Sequence, residues 1–418
     1  MKRKRIISGL LALGLSASLL LGIPVSAEEA SDVQVQETVT AISTNTIPGW
    51  PQGTDITSEA AVVMEDTTNT MLYSKNMDEV LFPGSTVKIM TCLLVLENSN
   101  LTDEVTMTAT GVSGVTDGGA NISSQIDEVF TIEQCLYAIM VASANDIALQ
   151  VAEHIGGSVE GFVQMMNTRA QELGCTNTVF TNPTGLPDEN QHTTAHDMAL
   201  IMKAAIDNDT FRPIASATAY TIPATNKSGG VRNLTNKFTM AESSSPNFYQ
   251  GCIGGKEGYT EASGSTLVCA AERNGMTLIC VVLKGASGQT TPEAATLLDY
   301  GFGQFTMLSL GDEDFSVISG GNVVVPAGTT SDALTTQDEQ ADGQIHRTYL
   351  FGGTPVGTAE LEITEEQDDT AALQGEQNMQ AAKDYSDSHT YIPYYIIAAV
   401  FVILLGLLIW KMAKIIKS

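Results

Sequence analysis

The feature that most constrains the fold and chemistry of this chain is a pair of residues, a serine and a lysine three positions apart. The pair stands at the start of a mostly apolar run. Ser85 and Lys88 follow Gly84, and residues 89–96 are largely apolar. The pattern predicts a helix with Ser85 in its first turn. Residues i and i+3 share a helix face, so the Lys88 amine can reach the Ser85 hydroxyl. A lysine can activate a serine if burial and positive neighbours lower its pKa.

Two further motifs follow in an informative order. Ser143-x-Asn145 precedes a second apolar-periodic segment, and Lys256-x-Gly258 precedes a β-rich run over residues 266–271. Each has an ordinary alternative: Ser143 as a helix N-cap, Asn145 as a turn residue, and Lys256 as an exposed strand lysine. The order Ser-x-x-Lys, Ser-x-Asn, Lys-x-Gly is that of penicillin-binding proteins and class A β-lactamases. Together the motifs predict acyl transfer on a serine.

The segments around these motifs narrow the resemblance. Residues 46–308 resemble serine-type D-alanyl-D-alanine carboxypeptidases, the low-molecular-mass penicillin-binding proteins of peptidase family S11. The flanking segments that carry this resemblance are residues 135–140, 151–158, 182–186 and 221–226. The resemblance implies an α+β fold of the penicillin-binding and β-lactamase type. Such a catalytic domain has an antiparallel sheet flanked by helices, with a helical subdomain.

The resemblance also implies a catalytic role for each motif. Ser85 would attack the carbonyl of the penultimate D-alanine of a peptidoglycan stem peptide, and Lys88 would accept its proton. Ser143 would pass that proton to the leaving D-alanine nitrogen, with Lys256 setting its electrostatics. Water would then release the shortened peptide from the acyl-enzyme. No cofactor or metal is implied, and β-lactams would be covalent inhibitors.

The substrate-binding positions follow from the same resemblance. They are Asn145, Lys256, Gly258 and Tyr259. The oxyanion would be bound by the backbone N–H groups of Ser85 and Tyr259.

One position departs from the family pattern. The family usually has Lys-Thr-Gly where this chain has Glu257 in the middle, and the Thr hydroxyl helps to hold the substrate carboxylate. An ionised Glu257 has no donor to offer and repels that carboxylate. Thr260 is a candidate substitute donor. The departure keeps open a non-catalytic or altered-specificity peptidoglycan- or β-lactam-binding protein of the same fold.

Two other activities remain as alternatives. His192 and His196 are spaced i, i+4, which could place two imidazoles on one helix face as zinc ligands. However, the chain has no His-Glu-x-x-His pattern and no evident third ligand, so a loop and helix-cap pair is the better interpretation. A β-lactamase is the other alternative, although no glutamate motif for deacylation is evident.

Both ends of the chain carry membrane-targeting patterns. Residues 1–27 have a basic start, an apolar middle and small residues up to Ala27, as in a cleaved signal peptide. An uncleaved anchor is the alternative. Residues 391–411 contain an uncharged stretch and precede a lysine-bearing tail at 412–418, which predicts a transmembrane helix rather than a buried core helix. The catalytic domain is therefore expected at the cell membrane on the extracytoplasmic side.

The rest of the chain divides by pattern. The sequence predicts four regions in order: a disordered leader at 28–45, the catalytic domain at 46–308, a small β-rich domain at 309–364 and a linker at 365–390. Within the catalytic domain we expect a hairpin at 60–74, helices at 161–173, 194–206 and 292–300, and paired strands at 267–271 and 277–283. Asn274-Gly275 is the turn between the last two.

Charge and cysteine content complete the expectations. The formal net charge is −28, which disfavours nucleic acid as a partner. None of the six cysteines stands in a Cys-x-x-Cys pair. The apolar surroundings of Cys92, Cys135, Cys269 and Cys280 favour mostly free, buried thiols, with one bridge left open.

Overall fold

A computed structural model describes residues 42–115, 119–311, 316–341 and 343–362. The predicted signal peptide, almost all of the leader, the linker at 365–390, the transmembrane helix at 391–411 and the tail at 412–418 lie outside these residues. Within the described part of the chain, no helix combines the length and apolarity needed to cross a membrane.

The described elements alternate between strands and helices. The strands are β1 (Ala60–Glu65), β2 (Met71–Lys75), β3 (Glu104–Thr106), β4 (Val129–Thr131), β5 (Ala219–Ile222), β6 (Arg232–Thr235), β7 (Cys252–Thr260), β8 (Gly264–Arg273), β9 (Met276–Gly285), β10 (Phe305–Ser309), β11 (Ser316–Gly320), β12 (Asn322–Pro326), β13 (Thr335–Ala341), β14 (Gln344–Phe351) and β15 (Thr354–Glu362). The α-helices are α1 (Lys88–Asn98), α2 (Ala109–Ser113), α3 (Ile132–Val141), α4 (Asn145–Gly156), α5 (Val159–Glu172), α6 (Ala195–Ile206), α7 (Phe211–Ala215) and α8 (Thr290–Gln304). Short 3₁₀ helices occupy Ser43–Thr46, Gly84–Val87 and Ser331–Ala333.

A five-stranded antiparallel sheet forms the centre, in the order β2-β1-β9-β8-β7. Side chains alternate across it, so Val62 joins one apolar cluster and Val63 joins the other. The sheet is therefore buried on both faces, and β7 is one of its two edge strands. The predicted hairpins are confirmed, and Asn274 and Gly275 have φ of 53° and 78°, as a tight primed turn requires.

A helical layer covers one face of the sheet and supplies the elements that frame the site. Thr131 begins α3 with a capping box to Gln134, and the Thr194 side chain caps α6 by accepting from the Asp197 N–H. The predicted helices are confirmed with shifted ends, because α5 starts two residues before 161 and α8 extends on both sides of 292–300.

The predicted β-structure after residue 308 is present as two sheets. One pairs β10 with β12, and the other has the order β11-β15-β14-β13. β10 follows α8 directly, and Phe305 at its start contacts the buried Trp50 with ring centroids 5.0 Å apart. Residues 323–325 belong to the apolar cluster that underlies the central sheet. The β-rich region therefore shares a core with the catalytic part.

Candidate active site

Ser85 lies in a 3₁₀ turn, Gly84–Val87, and α1 begins only at Lys88. The helix predicted after Gly84 is confirmed with Ser85 in its first turn, and that turn is 3₁₀ rather than α. The Lys88 N–H donates to the Ser85 carbonyl three residues back, as in a 3₁₀ turn, and the Thr86 hydroxyl donates to the Pro83 carbonyl at 2.7 Å. In a 3₁₀ turn, residues i and i+3 eclipse each other. The Lys88 Nζ consequently stands 3.4 Å from the Ser85 Oγ.

Lys88 is fully buried and bonded to neutral oxygens. Its Nζ donates to the Asn145 Oδ1 at 2.7 Å and also to the Thr184 carbonyl. Burial, and secondly the positive charge of Lys256, hold the pKa of Lys88 well below its ordinary value. A neutral amine at this position can accept a proton from the adjacent hydroxyl.

The loop that carries Thr184 was not assigned a role from the sequence. The Asn182 Oδ1 accepts from the N–H groups of Thr184 and Gly185 at 3.1 and 2.9 Å, which fixes the Thr184 carbonyl toward Lys88. Gly185 has φ of +80°, and a Cβ there would lie 1.9 Å from the Gly84 carbonyl oxygen. The Asn-Pro-Thr-Gly run was the available signal, but a backbone acceptor leaves no side-chain signature.

Ser143 and Asn145 lie at the junction between α3 and α4. Ser143 has φ of +56°, an uncommon conformation for a residue with a side chain. Ala144 takes the N-cap position and Asn145 is the first residue of α4, so neither residue has the ordinary role weighed from sequence. The Asn145 N–H donates to the Ala120 carbonyl at 2.8 Å, which ties the junction to the neighbouring loop.

Lys256 and Gly258 lie on β7, and the β-rich run predicted at residues 266–271 is part of the next strand, β8. Lys256 is 2% exposed, so it is not the surface lysine of the alternative interpretation. Burial lowers the pKa of Lys256 to about 8, although the neighbouring Glu257 carboxylate acts in the opposite direction. At residue 258, a Cβ would lie 2.6 Å from the Ser85 nitrogen, so only glycine permits this approach. Tyr259, 67% exposed, follows on the same strand.

These elements enclose a cleft of about 550 Å³. Its lining includes the predicted residues Ser85, Ser143, Asn145, Lys256, Gly258 and Tyr259. The structure thus brings together residues from three separate motifs, with Lys88 buried behind the serine. An activatable serine in an open cleft is suited to acyl transfer.

A family model described as D-alanyl-D-alanine carboxypeptidase matches residues 45–287. The chain belongs to this family. A D-alanyl-D-alanine carboxypeptidase of Streptomyces sp. strain K15 is 33% identical over 258 residues, covering 59% of this chain and 88% of the relative. DacF of Bacillus subtilis is 34% identical over 259 residues, covering 59% of this chain and 63% of the relative.

Solved structures of penicillin-binding proteins have the same fold. Penicillin binding protein 5 from Haemophilus influenzae is 25% identical, with a TM-score of 0.64, and the match covers 75% of this chain and 98% of that one. A variant of the Streptomyces K15 DD-transpeptidase is 31% identical, with a TM-score of 0.56, over 60% of this chain and 99% of that one. The predicted serine-peptidase family and the α+β penicillin-binding catalytic domain are thereby confirmed.

The histidine pair is not arranged as the zinc alternative requires. His192 precedes α6 and its Nδ1 lies 2.9 Å from the Asn190 carbonyl oxygen, whereas His196 is on the helix with its Nδ1 3.5 Å from Asp78. The two imidazoles therefore do not share a helix face. In the residues that the structure describes, no group of three or more His, Cys, Asp or Glu side chains is placed to hold a metal ion.

Glu257, the departure from the family pattern, lines the cleft and is half-buried. Burial raises the pKa of Glu257, while the positive charges of Lys256 and Lys237 lower it. The Thr260 hydroxyl donates to the Ser263 Oγ at 2.8 Å within the β7–β8 turn. Because that proton is already used, Thr260 does not serve as the substitute donor in this structure.

Proposed function

We propose that the chain is a serine-type D-alanyl-D-alanine carboxypeptidase that removes the terminal D-alanine from peptidoglycan stem peptides. The observation that carries the proposal is the pair of Ser85 and Lys88, with Nζ and Oγ 3.4 Å apart. The amine is buried and its pKa is held well below the ordinary value by that burial. Such an amine is a suitable general base for the hydroxyl.

The reaction begins when the Ser85 Oγ attacks the carbonyl carbon of the penultimate D-alanine and its proton passes to the Lys88 Nζ. The oxyanion is stabilised by the N–H groups of Ser85 and Tyr259. The C–N bond then breaks, and Ser143, which lines the cleft, relays the proton taken up by Lys88 to the departing amine, so that Lys88 is neutral again. Water attacks the resulting ester and regenerates the Ser85 hydroxyl. Lys256 supplies positive potential beside these groups.

A penicillin carries a strained acyl donor, so the same serine would form a stable adduct with it. This makes β-lactams covalent inhibitors. A second candidate function is a non-catalytic peptidoglycan- or β-lactam-binding protein of the same fold, and Glu257 in the cleft favours it.

The test is Ser85→Ala, with intact-mass measurement after benzylpenicillin and a D-alanine release assay. We expect the variant to lose both the adduct and the release. Ser287→Ala is the matched control, because Ser287 is an exposed serine of the same cleft and should retain both. An adduct that persists on Ser85→Ala would mean that another residue is the nucleophile. An adduct on the native chain without D-alanine release would favour the non-catalytic candidate.

We place the protein at the cell membrane from its sequence. The support is the signal-like segment at 1–27 and the uncharged stretch within 391–411, followed by lysines. The β-rich region and the linker would hold the catalytic cleft away from the membrane surface. Protein truncated after residue 390 should be soluble and active, and its recovery in the membrane fraction would contradict the anchor.

A further inference from the structure

A single buried hydroxyl links the two backbone segments that supply the oxyanion N–H groups. The Thr266 Oγ1, on β8, donates to the Pro83 carbonyl at 3.0 Å and lies 3.4 Å from the Gly258 carbonyl oxygen. Pro83 immediately precedes the 3₁₀ turn Gly84–Val87, the serine turn that carries Ser85, and Gly258 lies on β7. One hydroxyl proton can serve both carbonyls as a three-centre hydrogen bond, with the shorter arm to Pro83.

The Thr266 hydroxyl fills space that two glycines leave between these segments. A Cβ at Gly84 would lie 3.4 Å from the Thr266 Oγ1, and a Cβ at Gly258 would lie 2.8 Å from it. Thr266 is fully buried, so its side chain acts on these backbone segments and not directly on a substrate. The serine turn therefore rests on β8 through Thr266 as well as on β7 through Gly258.

The Gly258 carbonyl and the Tyr259 N–H belong to the same peptide group. A trans peptide group is planar, and its C=O and N–H point in opposite directions. A contact that fixes the direction of the Gly258 carbonyl therefore also fixes the direction of the Tyr259 N–H. The bond to the Pro83 carbonyl restrains the backbone just before the Ser85 N–H. Both oxyanion donors are thus held from one hydroxyl group.

We propose that Thr266 is a positioning residue that sets the distance and direction between the Ser85 and Tyr259 N–H groups of the oxyanion hole. The inference rests on the proposed function, since it concerns acyl transfer at that site. Preorganised donors stabilise the charge that develops in the transition state, so a loss of their alignment lowers the rate of acylation. The first, non-covalent complex holds no oxyanion, so its dissociation constant should not depend on the Thr266 hydroxyl.

The test is Thr266→Val, which replaces the hydroxyl by a methyl group of similar size. Saturation kinetics of benzylpenicillin acylation, followed by intact mass, separate the dissociation constant of the first complex from the limiting rate of acylation. We expect the limiting rate to fall about ten- to a hundredfold with the dissociation constant unchanged, since a misplacement of about 1 Å costs about a hundredfold. The affinity for a peptide boronic acid should fall by a similar factor, because its tetrahedral adduct on Ser85 places an oxygen in the oxyanion hole.

Three further variants serve as controls. Thr266→Ser keeps the hydroxyl and should acylate near the native rate. A role in packing alone predicts the reverse order, because Val fills the space and Ser leaves a methyl-sized gap. Thr277→Val makes the same change on the neighbouring strand β9, beside the Asn274-Gly275 turn, and should leave both constants unchanged. If Thr266→Val does not fold, Thr266→Ala is compared with Thr266→Ser, since the two differ only by the hydroxyl, and should be the slower of the two.

The outcomes separate this inference from the proposed function. If the native chain gains no benzylpenicillin adduct and releases no D-alanine, the proposed function fails and this inference with it. If the native chain does both, a folded Thr266→Val protein that acylates at the native limiting rate overturns the inference alone, whether or not its dissociation constant changes. A Thr266→Ser protein as slow as Thr266→Val also overturns it, because the hydroxyl would then not be the group that positions the donors.

Discussion

Gly258→Ala should impair acylation of Ser85 much more than it impairs folding. An added Cβ would stand 2.6 Å from the Ser85 nitrogen and 2.8 Å from the Thr266 Oγ1. To bring the distance between the added Cβ and the Ser85 nitrogen to an ordinary contact of about 3.4 Å, the 3₁₀ turn and β7 must separate by about 0.8 Å. A displacement of about 1 Å at a reacting centre costs on the order of a hundredfold in rate. The same overpacking costs about 1–3 kcal/mol of folding stability.

The assay is the second-order rate of benzylpenicillin acylation, followed by intact mass, together with thermal unfolding. Gly229→Ala is the matched control, because a Cβ there meets nothing within 4 Å, and it should acylate at the native rate. A folded Gly258→Ala protein that acylates at the native rate would refute the reasoning, since it would mean that β7 and the serine turn do not approach so closely in solution.

Three further predictions concern protonation and metal. The kcat/KM of the native chain should fall as the pH drops through the lowered pKa of Lys88, because the base becomes protonated. It should also fall as the pH rises through about 8, because Lys256 loses its charge there. A rate on the folded protein that does not fall as the pH rises through about 8 would contradict the role of Lys256, and one that falls at no acidic pH would contradict that of Lys88. Asn145→Asp should move the acid limb up by about 1–3 pH units, because a carboxylate beside Lys88 favours its charged form; an unmoved limb would mean that Lys88 is not the titrating base. Prolonged EDTA treatment and His192→Ala should leave D-alanine release near the native level, and zinc-dependent recovery of lost activity would oppose the serine mechanism.

Much of the fold could be predicted because its signals are local. The Asn274-Gly275 turn, flanked by two apolar runs, specifies a hairpin whatever the rest of the chain does. The type of the serine turn, the turn at Gly84–Val87 that carries Ser85, was harder to predict. A 3₁₀ turn and the first turn of an α-helix place i and i+3 residues together in nearly the same pattern, so periodicity does not separate them. What distinguishes the two in the structure is a backbone bond, because the Lys88 N–H donates to the Ser85 carbonyl three residues back.

The parts of the site that sequence reasoning missed depend on contacts between distant segments. The Thr184 carbonyl meets Lys88 across 96 positions of the chain, and a backbone oxygen is the same in every residue type. The burial of Lys256 likewise depends on the packing of β7 beside the serine turn and α7. Spacing on a strand leaves an exposed and a buried lysine equally acceptable.

The surroundings of Lys88 show why the chemistry needs an amide at Asn145. A buried lysine with a carboxylate partner would stay charged and could not accept the serine proton. The acceptors that the structure provides for Lys88 are the neutral Asn145 Oδ1 and the Thr184 carbonyl, with the Ser85 Oγ 3.4 Å away. These oxygens satisfy the donors of the amine without stabilising its charge as an anion would. Burial and the Lys256 charge then lower the pKa of Lys88, so the group that orients the amine also leaves it free to act as a base.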